Sequence, residues 1–76
     1  MHEVHNRVVV AVVTTLLGEN AAAGGDSFDL LVMITSIVAG VIHQLAGSSY
    51  AEEMLLQAVI DEARIRLGEM PSKRLN

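Results

Sequence analysis

Asp29, Ser36 and His43 carry the carboxylate, hydroxyl and imidazole of a nucleophilic triad, and they recur at a seven-residue spacing. On a helix that spacing puts them on one face. It also separates successive members by about 10.5 Å along the axis, at a rise of about 1.5 Å per residue. A nucleophile and its base must lie about 3 Å apart. One helix therefore cannot assemble the triad, and no catalytic residue is expected.

His2, Glu3 and His5 are the second group with chemical potential. Residues three apart share a helix face, so the two imidazoles could meet a metal ion. The zinc-protease arrangement needs two His four apart with Glu between them, which this is not. Chain starts fray, and the group reads as a solvated N-terminus. The chain has no cysteine, which removes disulfides, thiolate metal sites and thiol nucleophiles. Gly24-Gly25 is not followed by Lys and a hydroxyl residue, so it does not make a phosphate-cradling loop. No cofactor and no metal are expected, and the protein reads as a non-enzyme.

Charge weighs against nucleic acid. Nine carboxylates face five Lys and Arg, for a net charge of −4. Every segment before Pro71 is net acidic. Non-specific nucleic-acid affinity comes from cations at phosphates, and few are offered. Gln44-Leu45-Ala46-Gly47-Ser48-Ser49 has the outline of a helix-turn-helix corner. The helix after it opens with Glu52 and Glu53, which would repel the backbone at the position where contacts are made.

The elements that must position these groups are three helices. The first covers Glu3 to Gly18, with a continuation to Ala23. Its Val8–Thr15 stretch is β-branched and has the propensity of a buried strand. No second strand exists in the chain to pair with it, so a helix over Val8–Leu17, packed on the second helix, is expected. Gly18–Ser27 holds a helix stop and a new N-cap, with Asp26 or Ser27 as the cap and Asp29 favoured in the first turn by the helix dipole.

The second helix runs from Phe28 to Ala46. Asp29, Ser36, Gly40, His43 and Gly47 form one narrow stripe, and aliphatic residues cover most of the remaining circumference. So wide an apolar arc predicts a central helix covered on more than one side. The stripe is either a thin solvent edge or, through Ser36 and Gly40, a place where another helix approaches closely; the close approach is the expected one.

The third helix runs from Tyr50 to Leu67. Ser49 and Glu52 have capping-box spacing, Gly68 is placed to end the helix, and Pro71 blocks continuation. Glu53, Gln57, Asp61 and Arg64 make a solvated stripe. One apolar face carries Leu56, Val59, Ile60, Ala63 and Leu67; the other carries Ala51, Met54, Ala58 and Ile65. Glu62 and Arg66 sit between them. Residues 1–70 are thus read as one all-α, three-helix domain, a helical hairpin plus an N-terminal helix. Residues 71–76 are read as a flexible basic tail carrying Lys73 and Arg74.

Hydrophobic residues make up 51% of the chain, yet Phe28 and Tyr50 are its only aromatics. A chain this short buries too little surface to be robust alone. With disulfides excluded, an intertwined or side-by-side homodimer is expected. Its candidate interface comprises Ser36, Gly40 and His43 on the second helix, and Met54, Leu56, Ala58, Ile60, Ile65 and Leu67 on the third.

The leading functional expectation is a protein–protein interaction module that pairs with itself and then binds another protein. Compact acidic chains without cysteine are frequent among phage and mobile-element regulators that inhibit host proteins, an association by composition alone. One alternative is a small holin-like membrane protein with two short hydrophobic segments, Val8–Leu17 and Leu30–Ile42. Both are shorter than the roughly 20 residues a span needs. A helix-turn-helix nucleic-acid binder is the second alternative. Met1–Arg7, the apolar run and Ala21-Ala22-Ala23 outline a secretory signal, but Glu3 is out of place in one. A cytoplasmic location is the expectation.

Overall fold

The computed structural model describes residues 1–71. It contains α1 (His2–Ala22), α2 (Ser27–Leu45) and α3 (Ser49–Glu69). Helices take 86% of the described residues and none is a strand, so the fold is all-α. The β-branched run Val8–Thr15 lies wholly inside α1. Residues 72–76, which include Lys73 and Arg74 of the expected tail, lie outside the described residues.

The chain divides into two compact units, Met1–Ala39 and Gly40–Asn76. The first holds α1 and most of α2. Its corner is set locally. Gly24 adopts φ +72°, a left-handed conformation that costs side-chain-bearing residues but not glycine. The Gly25 N–H donates to the Asn20 carbonyl at 2.8 Å, and the Gly24 N–H donates to the Ala21 carbonyl at 3.1 Å. These two bonds form a Schellman C-cap. The Asn20 side-chain amide donates to the carbonyls of Gly25 and Asp26, at 3.3 and 3.2 Å. A Cβ on Gly25 would run into that Asn20 side chain, so this glycine permits a close approach.

Asp26 is the N-cap of α2. Its carboxylate accepts from the Asp29 N–H at 3.0 Å, and the Asp29 carboxylate accepts from the Asp26 N–H at 2.9 Å. This is a reciprocal capping box made with two aspartates. The Asp29 N–H donated to Asp26 holds the Asp26 carboxyl below its ordinary value.

In the second unit the corner is capped one residue earlier than expected. Ser48, not Ser49, is the N-cap: its backbone is extended (φ −159°, ψ 164°) and its hydroxyl accepts from the Ala51 N–H at 3.1 Å. Ser49 is already helical. Glu52 makes no return bond, because its carboxylate is engaged by His43. Gly68 does not end the helix either. α3 continues through it to Glu69, and Met70 turns extended at φ −81°, ψ 155°. That conformation is what a following proline imposes on the residue before it, so Pro71 sets the end.

The expectation that α2 is covered on several sides is not met within either unit among the described residues. Ile42, 7% exposed, is the only buried residue among those described. Leu30, Met33 and Val38 are half-buried, whereas Leu31, Val32, Ile34, Ile37 and Val41 are exposed. α1 is similar: Leu16 and Asn20 are half-buried, and Val8, Val9, Val10, Val12 and Val13 are exposed.

Candidate interaction surface

The polar side chains of the α2 stripe do not bond to one another. Asp29 is bonded to Asp26. The Ser36 hydroxyl donates to the Val32 carbonyl at 2.9 Å. The His43 Nδ1 lies 3.0 Å from the Glu52 carboxylate. Each member of the sequence triad is thus engaged elsewhere. Among the described residues there is no group of three or more His, Asp or Glu arranged to hold a metal ion, and His2, Glu3 and His5 are all exposed.

Ser36, Gly40 and His43 look outward. The half-buried Val38 and the buried Ile42 are on the far side of the helix from them. A Cβ built on Gly40 meets no atom within 4 Å among the described residues, so the close helix approach expected there does not occur within its unit. The His43 side chain is 78% exposed, and Glu52, at 39%, is better covered. The pair ties the last turn of α2 to the first turn of α3.

α3 is organised around one line of residues. Ala51 and Leu55 are half-buried. Glu62 and Arg66 continue the same line four and seven residues at a time, and they form a 2.6 Å ion pair across one helical turn. The line that begins with half-buried Ala51 and Leu55 is therefore charged and exposed at its far end. Both apolar faces flank it. Leu56, Ile60 and Leu67 are exposed on one side, and Met54 and Ile65 on the other; Ala58 is exposed beside the latter. On the opposite side, Gln57 donates to Asp61 at 3.0 Å, as suits a solvated stripe.

Leu55 and Ile42 were not singled out by helical periodicity, which weights all aliphatic positions alike. The signal that could have found Ile42 is position, one turn before the Ala46–Ser48 corner; Leu55, two turns beyond that corner, shares a face with Ala51. The first unit has an open cleft of about 680 Å³ at its own corner, lined by Glu19, Asn20, Gly25, Asp29, Val32 and Met33 among others. It presents two carboxylates and no cationic or nucleophilic group. Comparison with protein-family models, with characterised proteins and with solved structures finds no match.

Proposed function

We propose that this chain is a non-enzymatic helical interaction module that pairs with a second copy of itself through α3 and offers its remaining apolar face to another protein. The observation that carries the reading is the double exposure of α3. Leu56, Ile60 and Leu67 on one side, and Met54 and Ile65 on the other, all face solvent in the single chain. Burying one such side chain contributes about 1.5–3 kcal/mol. A small fold that leaves five of them uncovered gains more from association than from any adjustment within one copy.

The line of α3 that begins with Ala51 and Leu55 supports this reading. Beyond Leu55 it becomes the Glu62–Arg66 pair, and the apolar faces diverge on either side of those charges. The face with Leu56, Ile60 and Leu67 is the longer and more aliphatic, and we assign it to self-pairing. The face with Met54, Ala58 and Ile65 is left for a second protein; methionine there suits adaptable packing.

The test is the mass of the full chain by sedimentation in density-matched non-ionic detergent, which keeps α2 covered throughout. The wild type should give about twice the chain's 8.1 kDa. Ile60→Glu should return it to a single copy, and Arg64→Ala, on the solvated stripe, should not. A single-copy mass for the wild type at high concentration would remove self-pairing. Met54→Glu should leave the mass unchanged and abolish recovery of a host protein that co-purifies with the wild type.

A further inference from the structure

We infer that α2 takes a lipid bilayer as its partner and crosses it once. Four observations converge on this, none of them involving α3. The first is length: α2 has 19 residues, about 28 Å at a rise of about 1.5 Å per residue, against a hydrocarbon core about 30 Å thick. It is the one helix among those described that is long and apolar enough to cross, with a mean hydropathy of 1.8. The second is charge. No Asp, Glu, Lys or Arg stands between Asp29 and Glu52.

The third is how the mid-helix polar groups are satisfied. Thr35 and Ser36 both donate their hydroxyls to the Val32 carbonyl, at 3.0 and 2.9 Å. In hydrocarbon no water is available, so every polar group must find a partner within the protein. The remaining polar groups are at the ends. Asp26 and Asp29 cap one another at the start, and His43 reaches Glu52 beyond the finish. Both ends can therefore sit at the headgroup level.

The fourth is exposure. The core helix of a water-soluble bundle passes the same length and composition test, but it is buried. α2 has one buried residue, Ile42, and its aliphatic side chains are exposed on several sides. A single protein partner covers one side of a helix, and lipid covers all of them. α1 shares the exposure but not the charge-free length: it carries Glu3, Arg7 and Glu19. Its run Val8–Leu17 is about 15 Å long, half of what a span needs. The geometry thus favours one crossing over the two of a holin-like arrangement, and a membrane location over a cytoplasmic one.

The experiment is flotation of the full chain with vesicles of phosphatidylcholine and phosphatidylglycerol at three to one, followed by alkaline carbonate extraction. The wild type should float and stay with the vesicles through extraction. Ile37→Asp, at mid-helix, should lower the bound-to-free ratio on the order of 100-fold, the effect of a carboxylate at the bilayer centre. Leu45→Asp, at the helix end, should lower it far less, because the penalty depends on depth. Ile37→Leu should bind as the wild type does. A chain that remains helical and soluble in plain buffer without joining the vesicles would overturn the inference. So would release by carbonate, or equal losses for Ile37→Asp and Leu45→Asp. All these readouts are independent of self-pairing through α3.

Discussion

α2 and α3 are close in length, at 19 and 21 residues, and both leave large aliphatic side chains uncovered. They treat polar groups in opposite ways. α2 turns its hydroxyls inward onto its own backbone and keeps carboxylates and imidazole at its ends. α3 spreads charge along its whole length and pairs Glu62 with Arg66 and Gln57 with Asp61 between its apolar faces. A helix with charge on its circumference needs water there, and can bury only the strips between. A helix with none can be covered all round. Uncovered apolar surface alone thus does not identify a partner; the placement of polar groups around it does.

The largest effects should come from charge placed in each helix, and they should not cross over. Ile37→Asp should lower vesicle association on the order of 100-fold and leave the mass in detergent unchanged. Ile60→Glu should halve that mass and leave flotation intact. If either substitution produced both effects, the two helices would share one partner and the contrast between them would fail.

Next come the corners. Gly24→Ala forces a side chain into φ +72° and should cost about 1 kcal/mol or somewhat more. Ser48→Ala removes the α3 cap and should cost about 1 kcal/mol. For a domain of this size each should lower the melting temperature by about 4–8 °C. Ser49→Ala should change it little. A larger loss at Ser49 than at Ser48 would move the cap back to the residue that capping-box spacing selects.

Gly40→Leu is a smaller and sharper probe. The open space around Gly40 predicts a gain just under 1 kcal/mol, the difference in helix propensity between the two residues. A lower melting temperature would mean that another copy approaches α2 at Ser36, Gly40 and His43, restoring that edge as an interface.

The smallest effect is one of pH. The Asp26 carboxyl is held below its ordinary value by the Asp29 N–H. The unfolded chain therefore takes up this proton first as pH falls, and stability from the cap is present above the unfolded value, near 4, and is lost below it. Asp26→Asn should flatten that acid limb in a thermal titration. An unchanged limb would place the acid sensitivity at another carboxylate.

What could be read from the sequence divides along the same physical line. Three helices, the helix stop within Gly18–Ser27 and the acidic start of α2 depend on residues within a few positions of one another. Periodicity and capping chemistry expose them. Asp26 and Asp29 were each visible, but their reciprocity depends on rotamers. The Ser48 cap was missed by one residue because Glu52 is held by His43, nine positions away, and local spacing carries no trace of that contact. Gly68 looked like a stop because glycine often is one; Pro71, acting on Met70, ends the helix instead. The α2 stripe was legible as a pattern but not as a direction. Which side of a nearly uniform apolar helix turns inward is set by what packs against Val38 and Ile42, not by the helix itself.

The most direct test of the contrast is maleimide labelling of two single-cysteine chains, Ile37→Cys and Ile60→Cys, which the absence of native cysteine makes clean. Each is labelled with and without vesicles, and in detergent across a range of concentrations. The cysteine at position 37 should be protected by vesicles at every protein concentration. The cysteine at position 60 should be protected by concentration, and vesicles as such should add nothing. Protection of both positions by concentration alone, in plain buffer without lipid, would contradict the account and make α2 the core of a protein oligomer.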